Sequence, residues 1–151
     1  MSDPLKTDKV CSERLRAQRR EAAAVIGIDD AYLLRLVHFF VARVRADKTL
    51  GRFYTVEDEE HRTRQVTQMT SFWLSTGLGT DDYVGDLVAV HRKLPGLTPE
   101  DFDRWLVLFR ASLDETAPTV EAARYLMIRA ERVAEYLKAE LFEGPGDAGR
   151  D

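Results

Sequence analysis

The chain has 151 residues, 44% hydrophobic and 32% charged, with a formal net charge of -4 and one cysteine, Cys11. That suits one globular domain with a single core; it gives no basic footprint for nucleic acid and excludes an internal disulfide and a multi-cysteine metal site. No apolar run approaches the ~20 residues that span a bilayer, and MSDPLKTDK at the N-terminus lacks the apolar segment of a secretory signal, so the expected setting is the cytoplasm, without a membrane partner.

Apolar residues recur at helical rather than strand spacing, and Pro and Gly fall between the periodic stretches, which predicts an all-α fold. The expected division is an N-terminal extension at 1–27, a helical domain at 28–142 and a disordered tail at 143–151, where GPGDAGRD has nothing to bury. From Ser12, SERLRAQRREAAAV holds good helix formers around a thin apolar stripe, Leu15, Ala22 and Val25, and predicts a marginal helix with a solvated arginine face. Asp29 then caps a stronger segment, with Ile28 and Leu33 as a staple and Leu33, Leu36, Val37, Phe40, Val41 and Val44 on one buried face, ending near Ala46 and Asp47.

LGRFY at 50–54 carries two aromatics through an irregular connection. Thr55 with Asp58 resembles a capping box, and the segment behind it sets Gln65, Met69, Phe72 and Trp73 on one side before Gly77 stops it. After GLGTDD, Val84, Leu87, Val88, His91 and Leu94 stand at spacings of three and four, so His91 points with its apolar neighbours toward the interior. Pro95 and Gly96 break that segment. Thr98, Pro99, Glu100 and Asp101 then supply a cap, an N1 proline and first-turn acids for a long helix with Phe102, Trp105, Leu106, Phe109 and Leu113 buried. It ends before Pro118, and a last helix from Thr119 buries Leu126, Ala130, Val133, Leu137 and Leu141.

No glycine-rich phosphate loop, zinc-spaced Cys and His cluster or paired nucleophile and base occurs. His38 and His61 read as solvent-side residues. A lone histidine on an apolar face is more often a hydrogen-bonded core residue than a ligand, yet His91 stands between two aromatic-rich helices able to enclose a flat apolar cofactor held through one axial nitrogen.

LVHFFVARVRADKTLGRFY (36–54), SFWLSTGLGTDDYVG (71–85) and HRKLPGLTPEDFDRWLVLF (91–109) resemble, in order and spacing, the group III truncated haemoglobins, over roughly Ile28 to Leu141. The resemblance implies a shortened globin, helices packed two-over-two around a b-type haem, with His91 of the HxxLP element as proximal iron ligand and small gases, dioxygen, nitric oxide and carbon monoxide, as ligands. Its second ring nitrogen then needs an acceptor such as a carbonyl one turn earlier. The expected haem-contacting set is Phe40, Val41, Tyr54, Gln65, Met69, Phe72, His91 and Trp105.

On the ligand side the family offers a helix B tyrosine, a helix E histidine and the tryptophan of the RWL element. Trp105 matches the last, whereas Val41 stands at the tyrosine position, Gln65 at the histidine position and Tyr54 where a phenylalanine is usual. Leu87 replaces a proline four residues before the proximal histidine, which should make that helix longer or more regular. Two alternatives accompany the ligand-binding reading: a haem-dependent redox enzyme (nitric oxide dioxygenation, nitrite or peroxide chemistry), with a reductase as partner, and a helical binding module that has lost the haem.

Overall fold

The computed structural model describes residues 4–54, 58–77 and 84–143. Six helices and one short 3-10 turn account for almost all of them, with no strand among the described residues: α1 Pro4–Val25, α2 Asp30–Ala46, the turn Leu50–Phe53, α3 Glu59–Gly77, α4 Val84–Arg92, α5 Pro99–Thr116 and α6 Val120–Phe142. None of these helices is long and apolar enough to cross a membrane. The tail expected at 143–151 lies outside the described residues apart from Glu143, which closes α6.

The core is the predicted one in the main, with Trp105, Leu106, Val133 and Leu141 half-buried where burial was expected. Ile28, Leu33, Leu36, Phe40, Trp73, Phe109 and Leu126 are fully buried, and each large apolar side chain removed from water contributes about 1.5–3 kcal/mol. Helix α2 packs on α3 and α5, α5 on α6, and α3 and α4 reach α6, so the α2/α3 pair lies over the α5/α6 pair. Tyr32 and Thr116 tie α2 to α5 through a buried 2.9 Å hydrogen bond, which satisfies two hydroxyls that would otherwise be costly inside.

Helix α1 begins at Pro4, eight residues before the expected start, and its described side chains are exposed except Ala23, which joins the core. It ends in a Schellman motif. The amides of Ile28 and Gly27 donate to the carbonyls of Ala23 (2.8 Å) and Ala24 (3.0 Å), and Gly27 takes φ +96°, which an L side chain resists. A Cβ there would also meet the Pro118 ring, so the glycine lets α1 turn close against the α5–α6 junction.

The other ends follow the caps. The Asp29 side chain accepts from Tyr32 N at 2.8 Å, and Thr119 accepts from Ala122 N at 3.0 Å. At α3 the capping side chain is Asp58, which accepts from His61 N at 2.7 Å, while Thr55 lies outside the described residues. At α5 the Asp101 carboxylate accepts from Thr98 N (2.8 Å) and Thr98 Oγ1 (3.1 Å). The stretch expected to be irregular after α2 is a 3-10 turn, held by Asp47 accepting from Thr49 N and Leu50 N and from Arg104 of α5 at 2.6 Å. These bonds place Tyr54 beside the interior.

Candidate functional site

Between the two helix pairs the packing opens into a cavity of about 650 Å³. Its walls come from the ends of α2 and the 3-10 turn (Val44, Arg45, Leu50, Tyr54), one face of α3 (Gln65, Met69, Phe72, Trp73), α4 (Leu87, His91), α5 (Phe102, Trp105) and α6 (Val133, Leu137). Protein cores hold few voids larger than a water molecule, so a space within the ~300–1,000 Å³ of ligand and cofactor sites is a built feature.

His91 is half-buried near the end of α4, and its Nδ1 donates to Leu87 O at 2.8 Å, one turn back. A carbonyl can only accept, so this bond puts the ring proton on Nδ1 and leaves Nε2 with a free lone pair. Burial, only partly offset by that hydrogen bond, pushes the imidazole below its ordinary value and keeps it neutral near pH 7. Helix α4 runs unbroken through Leu87, whose carbonyl is the acceptor. Phe102 of α5 lies against the ring at 5.7 Å between centroids and limits its rotation.

Trp105 is anchored by a ring stack. Its plane lies within 5° of Phe109, Phe109 lies within 12° of Trp73, and Phe40 meets both Trp105 and Phe109 edge-on at 5.2 Å. Stacked and edge-to-face pairs of this kind restrict the rings to one orientation. The Trp73 Nε1 donor is buried with no partner among the described residues, on the wall of the same cavity.

Six of the expected contact residues, Tyr54, Gln65, Met69, Phe72, His91 and Trp105, do line this space together. Phe40 and Val41 do not. Both are buried, at 0% and 2% exposure, behind the wall. Phe40 instead supports Trp105 from the core side, and the valine side chain is too short to reach past it, so α2 meets the cavity one turn later, through Val44 and Arg45.

Arg45 was not legible as a wall residue, because a cation in the last turn of a helix ordinarily answers the helix dipole. Its Nε donates to Gln65 Oε1 at 2.8 Å and its guanidinium lies over the Tyr54 ring at 5.0 Å. Burial raises the Tyr54 phenol above its usual value, with Arg45 and a hydrogen bond to Gln65 opposing, so it stays protonated. His61 is exposed, as expected, but stands at the rim with Arg64 and Lys93, paired to Asp58. The signal missed for Arg45, Arg64 and Lys93 is charge on the wall and rim of an apolar space, which only the fold assembles.

Among the described residues no three His, Cys, Asp or Glu side chains gather as a metal site, so one imidazole could serve a metal only if something other than side chains filled most of its positions. The cavity fits a group of that kind: flat apolar walls, one neutral nitrogen donor, and the exposed cations Arg64 and Lys93 at the rim for acidic substituents.

Helices packed two-over-two around an interior cavity with a half-buried histidine, His91, on its wall define the truncated globin class. No family model matches the chain. The chain is similar to the group 3 truncated hemoglobin ctb of Campylobacter jejuni, with 29% identity over 123 residues, 79% of this chain and 95% of that protein. It also superposes on the crystal structure of a group III truncated hemoglobin from Campylobacter jejuni with a TM-score of 0.68, at 28% identity, over 77% of this chain and 93% of the other. In sequence and in fold alike, the chain is similar to group III truncated haemoglobins.

Proposed function

We propose that the chain is a cytoplasmic protein that holds a b-type haem in this cavity and binds small diatomic gases there. The observation that carries the proposal is His91, a neutral imidazole fixed by Leu87 O on the wall of a large apolar cavity. In this reading His91 Nε2 is the protein ligand to the iron, and Arg64 and Lys93 face the porphyrin carboxylates. When bound, the haem would supply an iron able to take up a diatomic molecule.

The chain's own residues do the rest. The Nδ1–H bond to Leu87 orients the imidazole and strengthens Nε2 as a donor. Phe72, Met69 and Leu137 exclude water from the macrocycle's surroundings. Trp105, immobilised by Phe109 and Phe40, offers its indole N–H to a bound ligand, and Gln65 is held in place by Arg45. The cavity also speaks against a helical module that has lost its cofactor, because nothing else in the core would maintain so large a space.

Haem titration tests the proposal. Stoichiometric uptake with a sharp Soret band, shifting when carbon monoxide is added to the reduced protein, is the expected result. Uptake no tighter than to an unrelated helical protein would overturn it.

A further inference from the structure

On the cavity wall of this chain a guanidinium and an amide stand together, Arg45 in the last turn of α2 and Gln65 of α3, and the first of them carries a charge. Arg45 carries five N–H donors; one is used by Gln65, and among the described residues no carboxylate pairs with it. The single carboxylate on the described wall, Asp101, is already committed to Arg52 through bonds of 2.9 and 2.7 Å. Of the remaining wall cations, Arg64 and Lys93 are exposed at the mouth, whereas Arg45 is half-buried and held inward by Gln65 on one side and the Tyr54 ring on the other. A guanidinium fixed in this way beside an apolar space is a preorganised receptor for a small anion, since its orientation is set before the ligand arrives and the low local polarity strengthens the attraction.

We propose that Arg45, positioned by Gln65 and Tyr54, makes this pocket selective for small monoanions of the nitrite, azide or fluoride kind over neutral gases of similar size. The protonated Tyr54 hydroxyl adds a neutral donor to the cluster and brings no opposing charge. The inference rests on the haem reading and names the ligand class that its open axial position would favour.

The test uses the haem-loaded protein and two probes read by absorption, azide on the ferric form and carbon monoxide on the ferrous form. Arg45→Leu should weaken azide binding roughly ten- to a hundred-fold, the worth of one or two hydrogen bonds to a charged group, and leave carbon monoxide affinity unchanged. Arg45→Lys, which keeps the charge and is the safer variant for folding, should retain most of the azide affinity. Unchanged azide binding in Arg45→Leu would overturn the proposal. Equal weakening of both probes would overturn it too, since that reports a collapsed pocket. Faster haem loss with azide affinity intact would assign Arg45 to the porphyrin carboxylates and have the same effect. A wild-type protein that takes up no haem removes the parent reading first, and is recognised by the missing Soret band before any anion is added.

Discussion

Replacing Asp101 by asparagine should cost about 2 kcal/mol. The carboxylate is 4% exposed and accepts four hydrogen bonds, two from the Arg52 guanidinium and two from Thr98, joining the 3-10 turn that carries Tyr54 to the start of the helix that carries Trp105. Asparagine can still accept from Thr98 N, but its NH2 faces a donor, and both charge-assisted bonds go. Removing one member of a fully buried pair costs about 3–5 kcal/mol. Arg52 is 41% exposed and recovers water, which brings the loss toward the ~1.5–3 kcal/mol of hydrogen bonds to a charged group. With a urea m-value of about 1–3 kcal/mol/M the midpoint should fall by roughly 1 M at unchanged slope. Samples must have equal haem content, because a bound ligand adds its own stabilisation.

The pH dependence has a definite sign. Arg52 holds the Asp101 carboxyl below its ordinary value, so its contribution is complete above about pH 5 and fades as acid protonates it. Asparagine has nothing to protonate, so the gap between the two proteins should narrow from pH 5 toward pH 3. A gap that is absent at pH 7, or that widens in acid, would refute the assignment of this pair.

Gly27→Ala should lose about 1–3 kcal/mol, through both its positive φ and the contact with Pro118, and Gly96→Ala, with φ +75° but open space around it, should lose less; equal melting temperatures for the two variants would remove the Pro118 term. Val41→Tyr should destabilise by about 1–3 kcal/mol in thermal unfolding, because the valine is buried in the core and is not among the residues lining the cavity; a variant as stable as the parent would show that open space adjoins this position.

Much of the fold was legible because local signals agreed with one another. Asp29, Thr98 and Thr119 head helices as their side chains suggested, and the stripe from Leu33 to Val44 is buried throughout. At α3 Asp58 caps the helix as expected, and Thr55, its expected partner, lies outside the described residues. The early start of α1 was missed because its first turns present no apolar face to periodicity.

The site was legible in part, and for a physical reason. Spacing tells which way a side chain points, and His91, Gln65, Met69 and Trp105 do point inward. It does not tell whether the interior they meet is packed or open. Phe40 and Val41 point inward equally and meet packed core. Arg45 is the converse case, a residue that reads as solvent-facing at a helix end until the fold sets Gln65, twenty residues on, against its Nε.

The most direct test of the account is the spectrum of His91→Gly protein reconstituted with haem, recorded without and with added imidazole. Loss of the parent spectrum, restored when free imidazole fills the space of the missing ring, is the predicted result. A variant whose ferric and ferrous spectra match the parent in the absence of imidazole would contradict the claim that the side chain at position 91 holds the iron.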